Sequence, residues 1–166
     1  MELVKGAIYS SLHDLIPNAR VLDLFAGSGS LGIEALSRGA ASATFIEADR
    51  FAIECIEQNL EKTKLTGDIK SCDVFRYLER MAPDSAFDLI LADPPYVKAD
   101  GDRDFATELL ASPHIPRAIH ADGIFVLEHL PWAPLPPHPA WELIRDKRYG
   151  TTSVAFFRKI PSPSAL

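Results

Sequence analysis

Four consecutive residues, Asp93, Pro94, Pro95 and Tyr96, close the apolar run in "LILADPPY". Two successive prolines fix the backbone and remove two N–H donors, so the segment presents acceptors only. Such a segment suits a planar amine. The Asp93 carboxylate and the Pro94 carbonyl can accept its two N–H bonds while the nitrogen lone pair turns toward a methyl donor. Tyr96 supplies a flat face on which a base taken out of its stack can rest. A rigid turn with a capping aspartate is the plainer alternative, and position and residue type together weigh against it.

A second constellation precedes it. "VLDLFAGSGSLGIEAL" (residues 21–36) places Gly27, Gly29 and Gly32 in the spacing G-x-G-x-x-G between an apolar run and a helical pattern. Glycines let backbone approach a ligand closely, and a helix that begins near Ser28 offers free N–H groups. Glu47 follows Gly27 by twenty residues, at a strand end where a carboxylate can accept hydrogen bonds from ribose hydroxyls. To this point a nicotinamide dinucleotide fits. Asp23 argues against it, because a carboxylate at the mouth of the first strand is poorly placed beside a pyrophosphate and well placed beside an amino group or a cation. S-adenosylmethionine, a nucleoside with a cationic amino-acid tail and no phosphate, satisfies Asp23, the glycines and Glu47 together. Asp73 adds a carboxylate where an adenine amino group would lie, although an aspartate that opens a helix also reads as a cap. Taken alone, the glycine spacing fits a tight strand-to-helix turn equally well.

These residues need a scaffold that brings strand ends together. Leu3, Ala7, Ile8, Leu12, Leu15 and Ile16 recur at helical spacing and predict a helix over 2–15. Apolar runs then alternate with helical patterns. Strands are expected at 20–25, 43–48, 68–72, 87–92 and 123–130, with helices at 28–38, 49–64, 74–81 and 104–111. The helix over 49–64 is expected to bury Phe51, Ile56 and Leu60. Such alternation specifies a parallel sheet covered by helices on both faces. "PWAPLPPHP" (131–139) holds five prolines in nine residues, which excludes a helix there. "WELIRDKRY" and "TSVAFFRK", separated by Gly150, read as a closing antiparallel hairpin. The expected fold is therefore α/β, with seven strands, mostly parallel. One domain is expected over 1–160, with a flexible tail over 161–166.

Composition narrows the function classes. With 166 residues, 47% hydrophobic and 24% charged, the chain has ordinary globular proportions. A net charge of −6 gives no general attraction to a polyanion. No apolar run approaches the roughly 18 residues of a membrane span, and "MELVKGAIYSSL" lacks a signal-peptide cleavage site. A soluble, cytoplasmic protein is expected. His13, His114, His120, His129 and His138 are scattered, and Cys55 and Cys72 lack metal spacing, so no metal is expected and the cysteines read as small buried hydrophobes. The segment 97–104 is a charged loop beside the tetrad, and Glu128 and His129 end the fifth strand near the expected cleft.

"DLFAGSGSLGIEALSRGA", "FIEADR", "LADPPY" and "KRYGTTSVAFFRK", in this order, resemble the class I S-adenosylmethionine-dependent methyltransferases. More specifically, they are similar to the RsmD-like small-subunit ribosomal RNA guanine-N2 methyltransferases, over about Val4 to Lys159. The resemblance implies a Rossmann-like methyltransferase fold and S-adenosylmethionine as cofactor. It implies a cofactor site formed by Asp23, Phe25, Ala26, Gly27, Gly29, Glu47, Ala48, Asp73, Val74 and Asp93. It also places the target base at Asp93, Pro94, Pro95 and Tyr96. The implied reaction is methyl transfer to the N2 amine of a guanine in small-subunit ribosomal RNA by a monomeric enzyme. DPPY also resembles the motif of adenine-N6 enzymes and, as NPPY, of protein glutamine methyltransferases; a module that holds cofactor or RNA without turnover is the non-enzymatic alternative. Family members carry a basic arm ahead of the first helix, and this sequence starts almost at that helix. Lys5, Arg38, Lys98 and Arg103 are the cations expected to rim the cleft. Poor capture of naked RNA is therefore expected, with activity on a partly assembled small subunit.

Overall fold

The computed structural model describes residues 2–161. Its elements are α1 (Glu2–Ser11), β1 (Arg20–Leu24), α2 (Ser30–Ser37), β2 (Ser42–Glu47), α3 (Arg50–Thr63), β3 (Asp68–Ser71) and α4 (Val74–Arg80). They continue with β4 (Phe87–Ala92), α5 (Phe105–Ala111), α6 (His114–Ala118), β5 (Ile119–His129), β6 (Trp141–Tyr149) and β7 (Thr152–Lys159). All seven strands join one sheet in the order β3-β2-β1-β4-β5-β7-β6. The first five pair in parallel, and β7 inserts antiparallel between β5 and β6. The mostly parallel sheet with a closing hairpin is thus present as expected.

Covering both faces explains the continuous apolar runs of the central strands. Ile8 and Tyr9 of α1, Ile33 and Ala35 of α2, and Ile56 and Leu60 of α3 pack on Val21, Phe45, Leu89, Leu91 and Val126. On the other face, Val74, Tyr77 and Leu78 of α4, Leu109 and Leu110 of α5, and Ile115 of α6 pack on Leu22, Leu24, Ile90, Phe125 and Leu127. No helix among the described residues is long and apolar enough to cross a membrane.

Several boundaries differ from expectation for identifiable reasons. α1 stops at Ser11, because Leu15 bonds back three residues to Leu12 and Asn18 turns left-handed at φ 65°. α2 begins at Ser30, since Gly29, at φ 81°, cannot continue a right-handed helix. α6 was not expected, and its two prolines explain why. Pro113 caps it and Pro116 falls in its first turn, where a missing N–H costs nothing. β5 begins at Ile119, ahead of the expected 123, because Phe87↔Ile119 pairing resumes at Leu89↔Ile124 after a bulge spanning His120–Gly123. Three apolar assignments are corrected: Leu3 and Phe51 are 73% and 74% exposed, and Cys55 lies on the exposed side of α3. From Ser162 onward, the expected tail lies outside the described residues.

Candidate functional site

The carboxyl ends of β1, β2, β4 and β5 lie side by side, and the residues singled out above gather there. The chain leaves β1 through Phe25, Gly27 and Gly29, all at positive φ, of 55°, 58° and 81°. A Cβ on Gly27 would meet nothing within 4 Å, so this turn borders open space that a ligand can fill. The loop is held from three sides. Ala26 N–H donates to the Ile46 carbonyl (3.1 Å), the Asn59 amide donates to the Ser28 carbonyl (2.9 Å), and Gly27 N–H donates to Glu47 Oε1 (2.8 Å).

Glu47 is therefore more than a ribose acceptor. Its second oxygen accepts from Ala48 N–H (3.0 Å) and Asp49 N–H (2.9 Å), so one carboxylate ties the end of β2 to the glycine loop and to the start of α3. Asp73 caps α4 by accepting from Arg76 N–H at 3.0 Å, and its side chain stays exposed beside buried Val74. Phe25, Phe75 and Phe105 form an aromatic cluster with ring centroids 5.4 to 6.3 Å apart. The Arg103 guanidinium lies over Phe75 and Phe105 (4.7 and 4.8 Å) while pairing with Glu108.

Asp23 takes a different place from the one its spacing suggests. It is 1% exposed, lies beneath the loop rather than in the open cleft, and accepts from Gly32 N–H at 3.0 Å. Burial pushes its pKa up to about 8 against the opposing effect of that hydrogen bond, and the charges of Asp93 and Glu47 push the same way as burial.

The tetrad divides between two neighbouring cavities. Pro94, Pro95 and Tyr96 line one with Ala106 and Thr107 of α5 and Leu130 beyond β5. Asp93 lines the other, with Glu128, Lys5, Ser30 and Leu31, under α1 and the start of α2. Tyr96 is fixed by a 3.1 Å hydrogen bond between its hydroxyl and that of Thr152, which couples the tetrad to the β6–β7 turn. Glu128 is the neighbour whose part the residue pattern left open. β4 and β5 pair Ala92 with Leu127, and the residues that follow, Asp93 and Glu128, are hydrogen-bonding neighbours. Burial raises the pKa of both, and for Glu128 the adjacent charges of Asp93 and Asp23 raise it further. The pair thus retains a shared proton toward neutral pH.

Other residues support this edge. His129 Nε2 faces the Asp146 carboxylate (2.9 and 3.1 Å) and Nδ1 faces the carbonyls of Leu130 and Ala133, so the ring ties β5 to β6 and to the proline-rich segment. Lys5 bonds Ser30 Oγ at 3.2 Å and the Tyr9 hydroxyl donates to the Leu31 carbonyl, fastening α1 over α2. Sequence spacing carried no signal for that clamp. Of the four expected rim cations, Lys5 lines the Asp93 cavity and Lys98 lies on the exposed loop after the tetrad. Arg103 lies on the aromatic cluster. Arg38 does not line either cavity; it lies over the Tyr9 ring and pairs with Glu34, the acid that also pairs with Lys5.

The family model described as "Conserved hypothetical protein 95" matches residues 1–158. The Bacillus subtilis protein YlbH, named as a candidate rRNA methyltransferase, is 35% identical over 161 residues, covering 94% of this chain and 84% of YlbH. Ribosomal RNA small subunit methyltransferase D of Haemophilus influenzae is 34% identical over 96 residues; the match covers 56% of this chain and 50% of that protein. Among solved structures, the Escherichia coli candidate methyltransferase yhhF superposes with a TM-score of 0.78 at 29% identity, over 96% of this chain and 85% of that one. The Thermus thermophilus 16S rRNA N2 G1207 methyltransferase, solved with AdoMet and guanosine, shares the fold at a TM-score of 0.73 and 23% identity, over 95% of this chain and 42% of that one.

Proposed function

The chain belongs to the conserved hypothetical protein 95 family, the family of the RsmD-type methyltransferases, and on that premise we propose that it methylates the exocyclic N2 amine of a guanine in small-subunit ribosomal RNA. The observation that carries this reading is the rigid, acceptor-only Asp93-Pro94-Pro95-Tyr96 segment at the carboxyl end of β4, beside the glycine loop. Relatives named for small-subunit ribosomal RNA methylation support the substrate class.

S-adenosylmethionine supplies, when bound, an electrophilic methyl group on a cationic sulfur. The residues present fit it. Open space above Gly27 accommodates the ligand against backbone, the Glu47 carboxylate has capacity beyond its three N–H partners for a ribose hydroxyl, and Asp73 remains accessible beyond its cap bond. Phe25, Ala26, Gly29, Ala48 and Val74 form the walls of this site. Asp23 acts from beneath, holding the start of α2 through the Gly32 N–H.

At the base site, Asp93 and the Pro94 carbonyl take the amine hydrogens and Tyr96, held by Thr152, fixes the plane of the base. Orientation and water exclusion supply most of the acceleration, because the amine needs no strong base before transfer. The proton released from nitrogen passes to the Asp93–Glu128 pair. A net charge of −6 leaves few cations for phosphate capture, so the substrate is a partly assembled small subunit whose proteins present the guanine.

The test incubates the protein with S-adenosylmethionine and either naked RNA or small subunits from cells lacking the gene, followed by digestion to nucleosides. N2-methylguanosine, formed faster on subunits, is expected. N6-methyladenosine as product would overturn the guanine assignment, an outcome with its own precedent in a tRNA adenine-N6 methyltransferase that is 35% identical over 82 residues.

A further inference from the structure

Glu128 has an unusual environment for a carboxylate. It is 5% exposed, lines the cavity beside Asp93, and among the described residues its side-chain partner is the Asp93 carboxyl, itself an acid. Lys5, the nearest cation lining that cavity, is committed to Ser30, Glu2 and Glu34. His129, next in sequence, points to the other face of the sheet and pairs with Asp146. Two buried carboxyls that can pair only with each other are costly once both ionise, and the cost is recovered when a ligand brings N–H donors to them.

Guanine brings a donor to that place. Its N2 amine is flanked by N1–H on one side, whereas the adenine N6 amine is flanked by N1 bearing a lone pair. With the N2 hydrogens on Asp93 and the Pro94 carbonyl, the neighbouring N1–H falls toward the residue beside Asp93. The β4–β5 pairing makes that residue Glu128, one position past the Ala92↔Leu127 pair on the strand adjacent to β4. We propose that Glu128 is the residue that selects guanine, accepting the N1–H of the base whose N2 amine Asp93 holds. This role rests on the methyltransferase reading above. It adds a reason for guanine that the DPPY segment alone does not contain, since that segment holds any planar amine. Adenine would set its N1 lone pair against a carboxylate and forfeit the hydrogen bond.

The test uses a substrate that differs from guanine only in what Glu128 would read. 2-Aminopurine keeps the N2 amine and lacks the N1–H. Once the methylated position has been mapped by nucleoside digestion, small-subunit RNA carrying guanine or 2-aminopurine there is assembled with its proteins. kcat/KM is then measured for the wild type, Glu128→Gln and Glu128→Ala, with S-adenosylhomocysteine affinity as the check that each variant is folded. The wild type should favour guanine by at least about tenfold. Glu128→Ala should lose about ten- to a hundredfold on guanine and several-fold less on 2-aminopurine, so that the preference for guanine falls. Glu128→Gln, whose amide carbonyl can still accept, should fall between. Equal losses on both bases, or a wild type indifferent to the N1–H, would overturn the role while leaving the methyltransferase reading intact. A wild type that binds S-adenosylhomocysteine but methylates adenine and no guanine would overturn the base assignment and this role together.

Discussion

Gly32 offers the sharpest test of how the loop and the sheet are fitted together. A Cβ at this position would lie 2.4 Å from Phe45 Cε1, 2.9 Å from Cζ and 3.1 Å from Asp23 Oδ2. The ring cannot slide away. Phe45 is fully buried, and on its far side a Cβ at Gly67 would lie 2.5 Å from Cε2. Overpacking of this kind costs about 1 to 3 kcal/mol, and replacing glycine by alanine within a helix returns up to about 1 kcal/mol. Gly32→Ala should therefore destabilise the protein by about 1 to 2 kcal/mol and push α2 away from Asp23, loosening the 3.0 Å bond to Gly32 N–H. Phe45→Leu makes room, so the double variant should cost less than the sum of the singles by about 1 kcal/mol. Urea unfolding of the three variants, with S-adenosylhomocysteine titration of each, measures both effects. Gly32→Ala at wild-type stability, or strict additivity with Phe45→Leu, would refute the packing argument.

Four further outcomes are expected. Glu47→Ala should weaken S-adenosylhomocysteine binding by about tenfold or more in calorimetry, since it removes a charged acceptor and releases Gly27, Ala48 and Asp49 N–H together; unchanged affinity would count against the cofactor site. Asp93→Ala should keep that affinity within a few-fold while methyl transfer in a nucleoside-digestion assay falls by about a hundredfold or more, and near-normal turnover would make the tetrad structural. kcat/KM should rise with pH through neutrality, because burial raises both pKa values of the Asp93–Glu128 pair and only the deprotonated acids can accept from the base and take up its proton; a flat profile would oppose this. Asp23 binds a proton in the folded state up to about pH 8 and in the unfolded state only to about its ordinary 3.8, so its contribution to stability is lost as pH rises between those values. Unfolding free energies measured from pH 5 to 8 should therefore fall by as much as about 1.4 kcal/mol per pH unit on account of this group, and Asp23→Asn should flatten the slope.

The sheet was legible because its information is local. "RVLDLF" and "FDLILA" are apolar on both faces, which only a strand covered on two sides requires, and β1 and β4 are buried except at the half-buried Arg20 and Asp88. The hairpin was legible from Gly150, at φ 64° in the turn between β6 and β7. What failed depended on partners distant in the chain. Leu3 and Phe51 have the right period and residue type but lie where no helix or strand covers them. "HADG" reads as a turn, yet its backbone bulges within β5 because Phe87 has already claimed Ile119 as partner. α6 hides behind two prolines that are harmless only because both fall at its beginning.

Glu128 shows the same limit within the site. In sequence it is an acid that ends an apolar run, as Asp93 is, and the two are 35 positions apart. Nothing in either run says that the two strands are neighbours or that their ends align. The parallel pairing of β4 with β5 supplies both facts, and that of β1 with β4 sets Asp23 opposite Leu91, two residues short of Asp93. Three carboxylates thus meet at one edge, on the face covered by α1 and α2, although mutual repulsion and burial both oppose the arrangement. A fold selected for stability alone would place apolar residues at those three strand ends, as it does at Leu24, Ala92 and Leu127 one residue away. On the proposed reading, a cationic sulfur and the donor edge of a base entering the same edge of the sheet would stabilise the ionised forms of these acids. Replacing these acids singly should therefore raise stability at high pH in the same variants that lose binding or turnover.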